Sequence, residues 1–410
     1  MTTVSRRSTG RHVRELSVLE ALLHGKARTR TDLSILLGYH QTTTSRVVTQ
    51  LVERGLIRAE SRSTSGSNGG RPSEELSLGP AAGLVVGIEL GRSFLSVVLA
   101  DASGEVLWSD QSEGEREFVA TDDTVDEVIA LTEAALSQVG ADVDDLLSLG
   151  VALHDVVSGR GEWITWQRPL SEPFPIRAKL EQRLSRPVVV EDVSRAFAEA
   201  EHRHGAARGY PDAVYLFFGS GSVGGGIFVD DRLLKSTSGV CGEIGHIAVE
   251  DDGPFCQCGN RGCLETLASH RAIQDALVEM IRQGVPSSLT EPANSDVRAI
   301  CEAAARGDKA SFLVLKRLAR YIAKALGSAV SICGSTRILI GGQLRAAGPG
   351  FLRDVSEELR QLVIPALMRD ITVEYAHLPR SAGALGVALQ ALELGWLSGR
   401  VLERTEVAIG

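Results

Sequence analysis

The amino-acid sequence predicts a small, mainly α-helical winged helix-turn-helix domain followed by a two-lobed α/β body. Three observations support this fold class. Residues 13–54 hold three apolar patterns of helical spacing, separated by short turns. Residues 84–109 and 213–229 each begin a separate series of short apolar strands, and a cysteine-rich loop at residues 241–265 interrupts the second series. At 410 residues the chain is long enough for two or three domains.

The first domain shows the element order of a helix-turn-helix. Apolar residues at helical spacing predict one helix from Val13 and a short second helix with Thr31 as its N-cap. Gly38 supplies the turn before a third helix at residues 41–54, and the segment from Gly55 predicts the first strand of a wing. The inward stripe of the third helix is predicted to consist of Thr44, Val47, Val48 and Leu51.

The outward face of the third helix is polar, and the helix has the right size for the major groove of DNA. Arg and Gln side chains can read base edges there, whereas Thr and Ser mostly hold phosphates. The following polar tract contains Gly70-Arg71-Pro72, whose extended backbone would present one arginine to the minor groove. The predicted DNA-binding residues are Gln41, Thr42, Thr43, Ser45, Arg46, Gln50 and Arg71. A helical protein-interaction module is the alternative for this region.

Charge is unevenly distributed along the chain. Residues 1–80 carry 12 Lys and Arg against 7 Asp and Glu, although the whole chain has a formal net charge of −9. A basic head on an acidic body indicates that the head meets a polyanion and that the body does not. The sequence shows neither an apolar run of membrane-spanning length nor the apolar block of a signal peptide. We therefore expect a cytoplasmic protein with reduced thiols and no membrane partner.

The loop at residues 241–265 contains Cys256, Cys258 and Cys263, with His246 ten residues before the first of them. Its glycines and proline offer no apolar core in which the thiols could pack. Three thiolates and one imidazole form the Cys₃His donor set of a tetrahedral, structural Zn²⁺ site. A disulfide would leave one cysteine unpaired, and three free surface thiols are the other alternative. Clustered Cys and His in a chain without secretory features favour the metal.

Two carboxylates flank this loop. Glu243 lies three residues before His246, and Glu265 lies two residues after Cys263. Carboxylates accept hydrogen bonds from several hydroxyl groups at once, so a loop held by a metal could present them to a polyhydroxylated ligand. The alternative is that both are ordinary solvated acids, and the spacing does not exclude it.

The α/β body is predicted from apolar runs and from the residues that end them. The predicted strands include residues 84–89, 94–101, 105–109, 146–153, 187–190, 213–218, 227–229 and 337–340. The strand at 187–190 ends at Glu191-Asp192, and ligand sites of α/β proteins form just beyond the carboxyl ends of strands. A glycine-rich tract at residues 219–226 could cradle phosphate, although tight hairpins also need glycines.

These motifs together resemble the ROK family (repressor, open reading frame, kinase), and specifically its branch of transcriptional regulators. The most specific part is Glu243-x-Gly245-His246, followed by Cys256-x-Cys258-Gly259-x-x-Gly262-Cys263-x-Glu265. The N-terminal winged helix and the Gly-Arg-Pro linker resemble those of the regulators. Kinases of the family lack both, because they begin directly at the first strand. The resemblance covers nearly the whole chain.

The resemblance implies a fold and a set of roles. The fold would be the two-lobed actin-like ATPase (ribonuclease H-like) fold. His246 and the three cysteines would hold the metal, and the sugar site would be lined by Asp192, Glu191, Glu243, His246 and Glu265. Asp192 corresponds to the base of the kinases. The implied domains are residues 1–80 with the linker, residues 81–200 completed by a helix near 383–400, and residues 201–382 with the zinc loop.

Two departures from the kinases bear on activity. Kinases of the family carry Asp-x-Gly-Gly-Thr at the first hairpin, whereas this chain has Glu89-Leu90-Gly91-Arg92-Ser93, so that a side chain stands where phosphate should pass. The Asn-Asp-Ala-Asn stretch of the kinases is Glu191-Asp192-Val193-Ser194 here. Phosphoryl transfer depends on positioning and charge neutralisation, so losing the phosphate cradle should abolish it even with Asp192 in place. We therefore expect no catalytic residues and no enzyme.

Three functional hypotheses follow. The first is a sugar-responsive transcriptional regulator, a repressor of carbohydrate genes, that binds an inverted-repeat operator as a homodimer or tetramer and is released by a sugar or sugar phosphate. The second is a ROK sugar kinase with an accessory DNA-binding head. The third is a DNA-binding protein whose sugar domain serves only for dimerisation. The altered phosphate-loop sequence favours the first over the second.

Overall fold

The structure is a computed structural model, and it describes residues 9–61, 74–91, 94–114, 118–165, 172–219, 221–398 and 402. The head consists of three helices and a two-stranded antiparallel sheet. These elements are α1 (Thr9–Leu23), α2 (Arg30–Leu37), α3 (Gln41–Glu53), β1 (Ile57–Ser61) and β2 (Glu74–Leu78). All four residues of the predicted inward stripe of α3 are buried. The predicted winged helix-turn-helix is therefore confirmed.

The N-cap of α2 differs from the prediction. Thr29, not Thr31, caps the helix, and α2 begins at Arg30. The Thr29 hydroxyl accepts a hydrogen bond from the backbone N–H of Asp32 at 3.1 Å, and the backbone N–H of Thr29 donates to the Asp32 carboxylate at 2.9 Å. Only Thr29 has an acid three residues later, so only Thr29 can form this reciprocal capping box.

The remaining elements alternate between strands and helices. Up to residue 192 they are β3 (Leu84–Leu90), β4 (Phe94–Asp101), β5 (Val106–Glu113), α4 (Asp122–Ser137), β6 (Leu146–Leu153), β7 (Val156–Val157), β8 (Trp163–Ile164), α5 (Ile176–Leu184) and β9 (Val188–Asp192). Beyond it they are α6 (Val193–His204), β10 (Ala213–Phe218), β11 (Val223–Val229), β12 (Arg232–Leu233), α7 (Leu264–Ala268), α8 (His270–Arg282), α9 (Val297–Ala305), α10 (Lys309–Cys333), β13 (Arg337–Gly342), α11 (Gly348–Leu362), α12 (Pro365–Met368), β14 (Thr372–Tyr375) and α13 (Ala382–Leu397). Among the described residues, no helix has the length and apolar character needed to cross a membrane.

Two five-stranded sheets share one strand order. The first sheet runs β5-β4-β3-β6-β9 and the second runs β12-β11-β10-β13-β14. In each, the three strands that come first in the chain form an antiparallel meander, and the fourth strand pairs with the first. In the second sheet β10 also pairs in parallel with β13. The repeated topology agrees with the predicted pair of α/β lobes, although the sequence shows no repeat.

The chain divides into two compact units. One comprises Met1–Ala152, Phe174–Glu191 and Val387–Gly410, and the other comprises Leu153–Pro173 and Asp192–Gly386. The head and the first sheet thus belong to one unit, and the second sheet belongs to the other. The predicted three-domain division stays a prediction.

The apolar core of the head continues into the rest of its unit. One buried cluster contains Val18 of α1, Leu51 of α3, Val85 of β3, and Leu392 and Trp396 of α13. These residues belong to elements that are far apart in the chain, yet they exclude water together. Burial of this kind stabilises by about 25 cal/mol per Å² of apolar surface. The head is therefore packed onto the first sheet and the last helix.

A buried ion pair lies at the base of this head. Arg54, the residue after α3, donates from Nη1 to the carboxylate of Glu15 on α1 at 3.2 Å and from Nη2 to the carbonyl of Leu402 at 2.9 Å. The Glu15 side chain is 0% exposed and the Arg54 side chain is 4% exposed. Arg11 also donates to Glu15, at 2.7 Å. The end of α3 is thereby fixed both to α1 and to the C-terminal segment.

Arg54→Ala should destabilise the head. The carboxylate of Glu15 would stay buried with Arg11 as its remaining described partner, so we expect a cost of about 3 kcal/mol, the lower end for breaking a buried pair. Hydrogen exchange of the α1 and α3 amides should become roughly a hundredfold faster, while exchange in α10 should not change. Arg58→Ala, which removes an exposed arginine from β1, is the matched control. Unchanged exchange in α3 would contradict a structural role for the pair.

Candidate functional site

Four side chains of the cysteine-rich loop converge on one point. The candidate ligand atoms of His246, Cys256, Cys258 and Cys263 all lie within 4.8 Å of one another. The Sγ atoms of Cys258 and Cys263 are 3.7 Å apart, and Cys256 Sγ lies 3.5 Å from His246 Nδ1. Cys263 is 0% exposed and Cys256 is 7% exposed. The cluster is thus a set of two buried and two partly exposed donors that can hold a metal ion.

The dimensions of this cluster can be compared with those of a tetrahedral site. With zinc–sulfur bonds of about 2.3 Å and zinc–nitrogen bonds of about 2.0–2.1 Å, two sulfurs lie about 3.8 Å apart, and a sulfur and a nitrogen about 3.6 Å apart. The separations between Cys258 and Cys263 and between Cys256 and His246 agree with these values. All six cysteines are free thiols in the structure. The donors therefore fit a zinc ion without rearrangement of these two pairs.

The three thiols of the cluster differ in how readily they ionise. Burial, together with the adjacent thiols of Cys258 and Cys256, raises the pKa of Cys263 to about 12. Burial also raises the pKa of Cys256. The pKa of Cys258 is lowered, because its burial is outweighed by hydrogen bonds from the Asn260 backbone and the other two thiols. Deprotonation of Cys256 and Cys263 is therefore unfavourable. A divalent cation would offset this effect, because thiolates bind metals as anions and release their protons on binding. The electrostatics are those expected of a site that needs its ion to hold three sulfurs together.

Backbone pairing brings the ligands together. Phe255 and Arg261 form an antiparallel bridge, as do Ala248 and Cys263. Gly262 sits at a φ of +64°, where a Cβ would come within 1.7 Å of the Glu250 carbonyl oxygen. The turn between Cys258 and Cys263 therefore requires glycine at this position.

The glycine-rich tract proves to be part of a strand. Residues 224–226 lie in β11, paired with β10, and a Cβ on Gly224 would come within 2.0 Å of Ser194 Oγ on α6. A Cβ on Gly225 would come within 2.7 Å of Ile244, and one on Gly245 within 1.8 Å of the Val223 carbonyl oxygen. The glycines thus permit α6 and the Ile244–His246 turn to approach the sheet. The hairpin alternative for this tract accounts for the glycines that the structure describes.

The close approach positions the predicted sugar residues of the second unit. Asp192 caps α6, its Oδ1 accepting from the N–H groups of Ser194 at 2.8 Å and Arg195 at 3.3 Å. Glu265 is 8% exposed, and its Oε2 accepts from the backbone N–H of Val223 at 3.0 Å. Its Oε1 accepts from the amide of Gln257 at 3.3 Å. Both carboxylates are therefore held in fixed orientations by backbone donors.

Arg195 is the residue that sequence reasoning missed. Its side chain is 4% exposed, its Nη1 donates to the Cys241 carbonyl at 3.1 Å, and the same atom lies 3.9 Å from Glu243 Oε1. It thereby connects the helix that begins after Asp192 with the loop that carries Glu243. An arginine inside a helical pattern gave no signal for this role, because the contact spans more than 40 residues.

Two other predicted positions, Glu191 and Glu89, belong to the first unit. Glu191 is 5% exposed and ends the first sheet. Glu89, at the altered phosphate hairpin, is 1% exposed. Arg92 and Ser93 lie outside the described residues, so the hairpin tip has no structural account here.

The DNA-binding residues predicted on α3 are all at least partly exposed. Gln41, Thr42, Ser45 and Arg46 are exposed, and Thr43 and Gln50 are partly exposed. These side chains lie opposite the buried stripe, so one polar face of the helix is open to solvent. Arg71 lies outside the described residues, as does the whole Gly-Arg-Pro segment.

Three known proteins and one family model are similar to this chain. The xylose repressor of Caldicellulosiruptor bescii is 25% identical over 385 residues, which are 92% of this chain and 94% of that protein. The glucokinase of Thermotoga maritima is 27% identical over 311 residues, which are 74% of this chain and 96% of that protein. A solved structure of a ROK family transcriptional regulator, a homologue of the E. coli MLC protein, has a TM-score of 0.80 at 27% identity.

That regulator structure covers 96% of this chain and 100% of its own, so it includes the head, and it confirms the predicted fold class. The model of the ROK family matches residues 85–393, well over half of the chain and both α/β units. From this match and from the metal cluster and carboxylates placed above, the chain belongs to the ROK family.

Proposed function

We propose that this chain is a transcriptional repressor of sugar metabolism that binds an operator through its head and is released by a sugar or sugar phosphate. The observation that carries the proposal is the head itself, whose α3 exposes a polar face over a fully buried stripe. The similarity to the xylose repressor extends over 92% of this chain, whereas the glucokinase matches only 74%. Because one α3 covers a half-site, the operator is an inverted repeat and the protein is a homodimer or tetramer.

The effector binds at the carboxylates of the second unit. Asp192, Glu243 and Glu265 bear the acceptors that sugar hydroxyls need, and His246, whose Nδ1 faces the cysteines, donates from Nε2. Asp192 and Glu265 are oriented by backbone donors, and pre-oriented acceptors lose little freedom when a ligand binds. To shift the protein off its operator, the sugar must bind the released form more tightly than the bound form.

The cluster of His246, Cys256, Cys258 and Cys263 holds one structural zinc ion. The ion supplies no chemistry to a reaction here, and it fixes the loop between Glu243 and Glu265. The fit of the sulfur and nitrogen separations supports this proposal.

Metal analysis should find one zinc per chain in the purified protein. Cys258→Ala removes one ligand and should reduce the zinc content to near zero, since the three remaining ligands hold the ion far less tightly. Cys333→Ser, which changes a cysteine outside the cluster, should retain the metal. Purified protein without zinc after growth in zinc-replete medium would rule out the site.

Sugar binding and DNA binding should be separable by mutation. A thermal-shift screen over free and phosphorylated sugars identifies the effector, because a ligand of the native state raises its stability. Operator titrations with and without that sugar should show a coupling of about 1–3 kcal/mol in the unmutated protein. Glu243→Ala should keep operator affinity but lose the sugar's effect, whereas Arg46→Ala should lose operator affinity and keep sugar binding.

The control for this experiment is Glu250→Ala, which removes an exposed acid from the same loop and should behave like the unmutated protein. If Glu243→Ala responds to the sugar as the parent does, the effector site lies elsewhere.

A sugar kinase with an accessory head is the second candidate, favoured by Asp192 at the start of α6 and by the glucokinase relative. We propose that the chain is not an enzyme, since Arg92 replaces the second glycine of the phosphate hairpin. An ADP-release assay over hexoses, pentoses and amino sugars should show no turnover, with the Thermotoga glucokinase as positive control. A rate on the order of 1 s⁻¹ that Asp192→Asn abolishes would establish the kinase instead.

A further inference from the structure

The segment from the end of α1 to the first residue of α2 carries three cations at alternate positions. Lys26, Arg28 and Arg30 are separated by buried Ala27 and by the N-cap Thr29. The backbone N–H of Leu76 on β2 donates to the Arg28 carbonyl at 2.7 Å, so the segment runs beside the wing sheet. The same segment lines a surface cavity of about 290 Å³. Arg28 therefore borders space that is open to solvent.

Arg30 lies directly against the recognition helix. Its Nη1 donates to the Ser45 carbonyl at 3.0 Å and to the Thr49 hydroxyl at 3.4 Å. Ser45 and Thr49 are both exposed residues of α3. The guanidinium of Arg30 thus sits at the edge of the exposed face of α3.

Two glutamates of the wing hold these arginines. Arg30 Nε lies 3.3 Å from Glu74 Oε2, and Arg28 Nη1 lies 3.4 Å from Glu75 Oε1. The Glu74 side chain is 43% exposed and that of Arg30 is 30% exposed. Long, solvent-screened pairs of this kind contribute little free energy. Another anion can therefore displace the carboxylates.

We propose that Arg28 and Arg30 form a phosphate-binding site for the DNA backbone and that Glu74 and Glu75 act as an acidic latch on it. The proposal rests on the DNA-binding function proposed above. When the head docks, backbone phosphates replace the two carboxylates, because duplex DNA presents a much higher density of negative charge than two glutamates. By competing with the phosphates, the latch lowers the sequence-independent part of the affinity for DNA. Base contacts by α3 then become necessary for the protein to stay bound to its operator.

The alternative is that the two pairs are struts that hold β2 against α2 and α3. The two accounts predict opposite changes in DNA affinity when a glutamate is replaced. Removing the carboxylate of a latch strengthens DNA binding, whereas removing that of a strut weakens it. Glu74→Gln, Arg30→Gln and the double variant are therefore measured against the operator and against a random-sequence duplex, each over a range of salt concentrations.

Glu74→Gln should bind both duplexes about two- to fivefold more tightly, the range that an exposed ion pair allows. Arg30→Gln should bind both more weakly, and the slope of log affinity against log salt should fall by about 0.9, one phosphate contact. The gain from Glu74→Gln should vanish in the double variant, since it acts through Arg30. Glu60→Gln is the matched control, because it removes the same charge from an exposed position on β1.

The latch is refuted if Glu74→Gln weakens binding, which would identify a strut, or if its gain equals that of Glu60→Gln, which would identify general repulsion. These outcomes leave the proposed DNA-binding function intact. If the unmutated protein binds neither duplex, the proposed function fails and the latch fails with it.

Discussion

The candidate effector site depends on the close approach of three segments to the beginning of β11. Gly224 and Gly225 leave no room for a side chain, and Ser194 and Ile244 occupy the space instead. A backbone N–H of the same strand, that of Val223, orients Glu265. Because packing at van der Waals distance cannot be relaxed by a small shift, a side chain added here would displace α6 or the loop. The positions of the acidic groups therefore depend on the absence of side chains at these two glycines of β11.

The metal cluster constrains the same loop from its other side. Between His246 and Cys263 the chain is short of apolar residues, so burial alone offers little free energy to hold it. Four donors within 4.8 Å of one another supply the missing constraint when an ion is bound. Glu243 and Glu265 flank the first and last of these ligands, so an ion bound here would also hold the two carboxylates in place.

In the head, burial separates two kinds of ion pair. Glu15 and Arg54 are removed from water, and losing one partner leaves the other buried with fewer partners, so the pair holds α1 and α3 in place. Arg30 and Glu74 remain in contact with water, where their attraction is screened and exchange with another anion costs little. The first pair ties α3 to the C-terminal segment, while the second leaves a cation available at the DNA-facing edge. An arginine–glutamate pair thus stabilises the fold where it is buried and leaves a cation free to bind where it is exposed.

The sequence by itself determined the features that depend on local pattern. The inward stripe of α3, strands β4, β6 and β10, and the four clustered metal donors all follow from periodicity, apolar runs or residue type. Tertiary structure alone decided the role of Arg195, the backbone partner of Glu265 and the pairing of Arg30 with Glu74. These contacts join residues more than 40 positions apart. A local pattern reports which face of an element is apolar, but it carries no information on which distant element packs there, because only the folded chain brings those atoms within bonding distance.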